Sequence, residues 1–251
     1  MEIDLSGRVV LVTGAGRGIG RALAGGLAAE GARVAVLDLR ADHAEATARE
    51  ITEIAGAPGA VALEADVGDE PSVEEAIARI DRTWGRLDAV VNCAAWIPPR
   101  RAVVEEDPAS LERVFRTNVV GSFLVTKHAA PVMVRAGGGR IIYMSSGIGV
   151  AANPGQAAYG GSKAAINILA QVAHQELSDG GIRTVALAPG LTESPGMRES
   201  LGDAYADRVA AAYPKHRLGQ PEDIVALTVF LCSDAAHHLS GTVITVRPPA
   251  Q

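Results

Sequence analysis

Arg8-Val9-Val10-Leu11-Val12-Thr13-Gly14-Ala15-Gly16-Arg17-Gly18-Ile19-Gly20 passes from an apolar, β-branched run straight into a glycine cluster. Arg21-Ala22-Leu23-Ala24 follows with helical composition. Strand, glycine turn, helix is the setting in which a phosphate-binding loop makes physical sense. Glycine lets the backbone take unusual dihedrals and come close to a ligand. The helix N-terminus then offers free N–H groups and a partial positive charge to a pyrophosphate. The strict Gly-x-Gly-x-x-Gly spacing fails, because Ile19 stands where its third glycine would fall. The spacing present is Thr13-Gly14-x-x-x-Gly18-x-Gly20. The plainer reading is a tight turn, and the number of glycines at one strand end weighs against it.

Working outward, short apolar runs alternate with helical stretches along the chain. Strands are expected at Arg33–Leu37, Val61–Asp66, Leu87–Asn92, Gly139–Ser145, Gly181–Ala188 and Gly241–Val246. Helices are expected from about Ala41, over Ser72–Trp84, as one long helix from about Pro108 to Arg135, and over Ala157–Leu177 and Pro221–Cys232. This alternation predicts an α/β fold with a doubly wound parallel sheet of about seven strands and helices on both faces. No linker or low-complexity segment divides residues 1–251, which reads as a single domain. Leu191 to Leu218 breaks the rhythm after a strand's C-terminal end, where ligands of open α/β sheets bind, and is expected to be a substrate lid.

Composition narrows the function classes. The chain has 251 residues, 48% hydrophobic and 21% charged, which suits one sizeable α/β core. A net charge of −6 argues against general affinity for nucleic acid or anionic membrane. No apolar run reaches spanning length, and Met1-Glu2-Ile3-Asp4 does not open a signal peptide, so a cytoplasmic location is expected. Cys93 and Cys232 form no disulfide framework and read as buried thiols, and the six histidines lack metal-ligand spacing.

A second stretch, Ser146-Gly-Ile-Gly-Val-Ala-Ala-Asn-Pro-Gly-Gln-Ala-Ala-Tyr159-Gly-Gly-Ser-Lys163, carries the candidate chemistry. On a helix, residues four apart share a face, so the Tyr159 phenol and the Lys163 ammonium should enter the same space. A neighbouring ammonium favours the phenolate and should lower the Tyr159 pKa, making it a proton donor or acceptor. Ser146, ending an apolar run, would offer a hydroxyl to the same reacting group. The bland alternative is a packed phenol and a solvated charge. Asp38, at the end of the second strand, would accept hydrogen bonds from the hydroxyls of an adenosine ribose and repel a 2′-phosphate. It favours NAD over NADP, although Arg17 and Arg40 are near enough in sequence to reach a 2′-phosphate. The alternative for Asp38 is a cap on the following helix.

Together these stretches resemble the short-chain dehydrogenase/reductase family over nearly the whole chain. The matching pieces are the Thr13–Gly20 loop, Asp66-Val67, Asn118 in Thr117-Asn118-Val119, Ser146 thirteen residues before Tyr159, Tyr159-x-x-x-Lys163, Pro189-Gly190 and Arg217-x-Gly219-x-Pro221-Glu222-Asp223. The resemblance implies a Rossmann-type fold and an alcohol–ketone oxidoreductase. It implies Asn118, Ser146, Tyr159 and Lys163 as the catalytic set, with Asn118 holding a water that links Lys163 to solvent. The alternative for Asn118 is an amide that satisfies broken backbone bonds in its own helix. The resemblance places Gly14, Arg17, Gly18, Ile19, Gly20, Asp38, Asp66, Val67, Asn92 and Ala94 around the cofactor. Tyr159, Lys163, Pro189, Gly190, Thr192 and Ser194 complete that set.

The chain departs from the family in places. Val91-Asn92-Cys93-Ala94-Ala95 stands for Asn-Asn-Ala-Gly, with Asn92 expected to steady the sheet. Ser194 replaces a threonine, and the end, Val246-Arg247-Pro248-Pro249-Ala250-Gln251, lacks an Asp-Gly-Gly. The expected substrate pocket is Trp96, Ile148, Asn153, Gln156 and Glu193 with the lid. A redox-sensing, cofactor-binding regulator is a different class of function, and it predicts loss of Ser146, Tyr159 or Lys163, which are all present. An NADP-dependent ketoreductase is a further alternative, and an epimerase or dehydratase would usually need more chain. Apolar positions on the helices at about 108–135 and 157–177, among them Val119, Phe123, Val125, Ile168 and Val172, predict a homotetramer through a four-helix contact.

Overall fold

Alternate residues of each strand face opposite layers, and the apolar runs are long enough to fill both. The computed structural model describes residues 3–54, 57–213 and 217–246. Its strands are β1 (Val9–Thr13), β2 (Arg33–Asp38), β3 (Ala60–Glu64), β4 (Ala89–Asn92), β5 (Gly139–Met144), β6 (Ile182–Pro189) and β7 (Thr242–Val246). All pair in parallel as one seven-stranded sheet in the order β3-β2-β1-β4-β5-β6-β7. The order reverses between β1 and β4, which opens a crevice at the C-terminal edge.

One layer is built by α3 (Glu70–Trp84), α5 (Gly121–Arg135) and α6 (Ala157–Leu177). It joins Val9, Leu11, Leu37, Val90 and Ile141 of the sheet to Ile77, Ile80, Val125 and Ile166. The other layer is built by α1 (Gly18–Ala29), α2 (Ala41–Glu53) and α9 (Glu222–Cys232). There Val10, Val12, Val36, Val91 and Ile142 meet Leu23, Leu27, Ile51 and Leu231. Each such aliphatic side chain, fully buried, contributes about 1.5–3 kcal/mol. A polar residue at Val12 would forfeit that and strand an unpaired group between layers.

The long helix expected from 108 to 135 is interrupted. α4 (Pro108–Phe115) passes through a π-helical turn (Arg116–Val120) before α5 begins. Asn118 lies at the centre of this turn and is buried. Such single turns accommodate an extra residue and often mark functional positions. Val125, expected on an interface, instead lies fully inside the core.

The segment after β6 forms α7 (Pro195–Leu201) and α8 (Asp203–Ala212), packed on each other through Met197, Ala206 and Leu218. It leaves and returns through a parallel bridge between Thr192 and Gly219. Residues 214–216 of the expected lid, and the tail at 247–251 that departs from the family, lie outside the described residues. Among the described residues no helix is long and apolar enough to cross a membrane.

Candidate active site

The glycine turn forms because side chains would collide there. Gly14 and Gly18 have φ of +64° and +55°, a region that disfavours side chains. A Cβ on Gly14 would sit 2.8 Å from the Ala94 Cα, so β1 and the loop after β4 meet backbone to backbone across the crevice. Thr13 Oγ1 holds that contact, accepting the N–H groups of Cys93 and Ala94 at 3.0 and 3.1 Å. A Cβ on Gly20 would lie 2.1 Å from the Gly14 carbonyl oxygen, and Ile19 packs toward the core. α1 starts after Arg17 with no side chain capping it. Its first N–H groups therefore suit an anion at the loop.

Asp38 ends β2 beside this turn. Its Oδ2 accepts from Gly16 N at 2.9 Å and its Oδ1 from Arg40 N at 3.1 Å. It does not cap α2, whose N-cap is Arg40. Both carboxylate oxygens keep lone pairs for further donors. The two cations near it are engaged elsewhere: Arg40 pairs with Asp42 at 2.7 Å and Arg17 with Glu199 of α7 at 2.9 Å. Asp66 Oδ1 accepts from Gly68 N at 2.8 Å, shaping the turn after β3, and Val67 packs where Gly121 leaves room.

Asn92 requires a correction. It was expected to steady the sheet, yet both of its amide atoms are buried without a hydrogen-bond partner. The bridging belongs to Thr13. An unpaired buried amide costs about 1–3 kcal/mol, and here it lies at the switch point. With the uncapped helix and the free lone pairs of Asp38, it fits a polar dinucleotide in the crevice.

β5 delivers Ser146, and α6 delivers Tyr159 and Lys163. The Ser146 hydroxyl lies beside the Tyr159 phenol. The Lys163 ammonium lies 5.6 Å from the centroid of the Tyr159 ring and donates to the Met144 carbonyl at 2.6 Å. Lys163 is buried because Gly149 allows close approach; a Cβ there would meet its backbone at 2.7 Å. The expected lowering of the Tyr159 pKa is not what this arrangement produces. Burial pushes the phenol well above its ordinary value, Cys93 adds to that, and only the neighbouring Ser146 hydroxyl opposes it. Burial pushes Lys163 down to about 8, with Cys93 opposing. Desolvation disfavours each charged form, and the ammonium is directed at a carbonyl.

Asn118 reaches this group through α6. Its Nδ2 donates to Ser162 Oγ at 3.1 Å, and Ser162 Oγ donates to the Tyr159 carbonyl at 2.7 Å. Its amide also binds the backbone of Trp96 and does not repair its own helix.

The expected pocket residues are held with differing freedom. Trp96 carries the Arg113 guanidinium 4.2 Å above its ring. Ile148 lies against Gly160, and its N–H donates to Ser146 Oγ at 3.4 Å. Gln156 is buried, and its Oε1 has no partner. Asn153 donates to the Tyr205 hydroxyl at 3.4 Å. Glu193 is held by two guanidinium nitrogens of Arg198, each at 2.8 Å, which keeps its carboxyl below the usual range and withdraws it from a substrate. Gly190, following Pro189, donates to the Val246 carbonyl at 2.8 Å. Thr192 Oγ1 donates to the Gly190 carbonyl at 3.1 Å, and Ser194 Oγ caps α7 by accepting from Met197 N.

Three participants escaped the sequence reading. Thr13 lay within the recognised loop, but its hydroxyl was assigned no task. Cys93, expected as a plain buried thiol, keeps some exposed surface and neighbours both Lys163 and Tyr159; burial pushes its thiol up to about 11. Its position two residues before Ala95, in the altered Asn-Asn-Ala-Gly stretch, was the available signal. Tyr213 fixes the lid's far end, its hydroxyl accepting from Leu191 N at 3.0 Å.

Comparison with known proteins places this geometry. A family profile described as enoyl-(acyl carrier protein) reductase matches residues 14–247. The (3R)-3-hydroxyacyl-CoA dehydrogenase of Mus musculus is 35% identical over 255 residues, covering 98% of this chain and 96% of that protein. The crystal structure of levodione reductase superposes with a TM-score of 0.93 at 29% identity, covering 96% of each chain. A 7α-hydroxysteroid dehydrogenase complexed with NADH and 7-oxo glycochenodeoxycholic acid superposes with a TM-score of 0.91 at 30% identity, covering 98% of this chain and 95% of that one.

Proposed function

The chain belongs to the short-chain dehydrogenase/reductase family, a family of oxidoreductases that bind nicotinamide cofactors, and we propose that it interconverts a secondary alcohol and a ketone with NAD. The observation that carries this reading is the meeting of Ser146, Tyr159 and Lys163 at the C-terminal edge of the sheet. That edge also holds the uncapped start of α1.

The Gly14–Gly20 turn would hold the pyrophosphate, Asp38 the adenosine ribose, and Asp66 and Val67 the adenine side. Asn92, Ala94, Lys163, Pro189, Gly190, Thr192 and Ser194 would hold the nicotinamide end. Asp38 favours NAD over NADP, because a 2′-phosphate would face its carboxylate and because Arg17 and Arg40 already have acidic partners. The cofactor, when bound, accepts or supplies the hydride.

This chain's own residues manage the proton. Tyr159 exchanges it with the reacting oxygen as alcohol becomes ketone. Ser146 bonds that oxygen and the phenol. Lys163 supplies positive charge beneath the ring, and the stacked α6 turn holds phenol and ammonium in register. Asn118 sets the position of Trp96 and of the first turn of α6. The lid excludes water from the exchange.

A cytoplasmic homotetramer accompanies this reading, the assembly being carried by exposed Leu111, Phe123, Ile168 and Val172 on α4, α5 and α6. Steady-state assay of a broad panel of secondary alcohols and ketones with NAD and NADH tests the function. NAD-dependent turnover of at least one class is expected. Saturable NADH binding without turnover of any member would favour the redox-sensing alternative.

A further inference from the structure

Three acidic residues of the lid are gathered on one cation. Arg198 binds Glu193 through two nitrogens at 2.8 Å, Asp203 at 3.0 Å and Asp207 at 3.5 Å. This engages the carboxylate of Glu193, the acidic residue of the expected pocket. Two other guanidiniums there keep their charge without an acidic partner. Arg100, from the loop after β4, lies 4.5 Å from the centroid of the Tyr205 ring, and Arg208 of α8 lies 5.3 Å from the same centroid. Among the described residues neither pairs with a carboxylate.

Two like charges against one ring repel each other, and the ring's quadrupole offsets little of that. The local hydrogen bonds add donors. Asn153 Nδ2 donates to the Tyr205 oxygen at 3.4 Å, which leaves the phenol's own proton free to donate. Arg100 also donates to the Pro154 carbonyl and, at 3.5 Å, to Asn153 Oδ1. These contacts tie the cluster to the turn that enters α6. Arg101 N donates to the Gly155 carbonyl at 3.0 Å, and the next carbonyl, Gln156, accepts from Gly160 N at 2.8 Å, beside Tyr159. Across the opening, Ser200 Oγ of α7 donates to the Pro98 carbonyl at 2.8 Å, closing the lid onto the same loop.

We infer that Arg100 and Arg208, set about Tyr205 at the mouth of the site, recognise a negatively charged tail on the substrate, a carboxylate or a phosphate. This names a substrate class within the oxidoreductase reading and rests on that reading. Guanidinium groups bind such anions through paired, charge-assisted hydrogen bonds. A tail held there relieves the repulsion between the two cations, while the carbonyl or hydroxyl to be converted extends inward past Gln156. The buried, unpartnered Gln156 Oε1 accepts a hydroxyl or N–H between the two ends.

The test uses methyl ketones of graded length, each ending in a carboxylate, a phosphate or the neutral amide, reduced with NADH. At one length kcat/KM for a charged member should exceed that of its amide by about tenfold or more. Carboxylate and phosphate arms identify which tail is preferred. R208Q and R100Q/R208Q should collapse that ratio to within about twofold, whereas R79Q, on α3, should keep the wild-type ratio. Arg208 is exposed, so R208Q alone should spare the fold. Equal kcat/KM for charged and neutral members, or a preference that survives R100Q/R208Q, overturns the inference. If neither these ketones nor the broad alcohol and ketone panel turns over, the oxidoreductase reading fails, and calorimetric titration with glutarate and with inorganic phosphate decides the cluster separately. Saturable binding lost in R208Q supports it; no binding, or binding insensitive to R208Q, overturns it.

Discussion

Asn118 grips the backbone of Trp96 at both ends of its amide, Oδ1 accepting from the Trp96 N–H at 2.8 Å and Nδ2 donating to its carbonyl at 3.2 Å. The π-helical turn is what aims this side chain away from its own helix and at the loop after β4. Asn118→Ala would leave the Trp96 groups and Ser162 short of a partner in a buried place. It should cost roughly 2–4 kcal/mol of stability and lower turnover by loosening Trp96. Urea unfolding with parallel kinetics checks this. Unchanged stability would mean that the paired grip contributes nothing.

NAD(H) should bind more tightly than NADP(H) by roughly 1–3 kcal/mol, the scale for an unpaired or repelled polar group. Asp38→Ala should narrow the gap, mainly by weakening NAD. It also removes the acceptor for Gly16 N. Fluorescence titration of both cofactors to both proteins measures this, and equal affinities in the wild type would reverse the assignment.

The rate of alcohol oxidation should rise with pH with an apparent pKa near 8. Burial lowers Lys163 to about 8 and raises Tyr159. Neutral lysine beside phenol and ammonium beside phenolate hold the same number of protons, so one macroscopic step populates both. The second form is the competent base. Below this step the pair keeps both protons and oxidation is slow; above it the competent form has reached its plateau. A kcat/KM profile for oxidation that is flat from pH 7 to 9 would break this link.

Stability should move the other way in alkali. Burial pushes Cys93 to about 11, Cys232 to about 12 and Tyr143 to about 12. Each folded value lies above that of the unfolded chain, so the folded state holds more protons. Their contribution is complete below the unfolded values and is lost as pH rises through the folded ones. Lys163, lowered by burial, opposes them by one proton. Denaturant midpoints should therefore fall from about pH 9 upward, and Cys232→Ala should flatten the fall. A Cys232→Ala protein with the wild-type slope would contradict the assignment.

The chain should be an oligomer. Phe123 and Ile168 are 51% and 59% exposed. With Leu111 and Val172 they leave four large apolar side chains exposed on α4, α5 and α6, the material a subunit contact would cover. Light scattering should show a tetramer at micromolar concentration, and Phe123→Arg with Ile168→Arg should shift it to smaller species. A stable wild-type monomer would overturn this.

Local pattern was legible in the sequence, and contact between distant loops was not. β1, β2 and α6 were placed within a residue or so because their apolar periods are strong. The spacing of Tyr159 and Lys163 put them on one face. The π turn at Asn118 was invisible, since a single extra residue barely alters a helical pattern. The role of Asn92 was misassigned because Thr13, far away in the chain, arrives to make the bridging bonds. Glu193 was read as open to substrate, yet Arg198, one turn into α7, closes on it. The proximity of the Cys93 thiol to Lys163 depends on how the loop after β4 meets α6, which no local pattern encodes. The pKa direction expected for Tyr159 failed for the same reason: spacing predicts which charges are neighbours, and burial decides which form survives.

The central claim is that Tyr159 carries the proton, and Tyr159→Phe tests it most directly. The ring still packs on the Lys163 side, so folding and cofactor affinity should persist. Lys163→Ala should differ by losing rate and cofactor affinity together. With an alcohol that the wild type oxidises, turnover and NADH binding are measured for all three proteins. Turnover of Tyr159→Phe should fall by roughly 10²–10⁴ with NADH affinity nearly unchanged. A Tyr159→Phe enzyme that keeps most of its turnover would contradict the account.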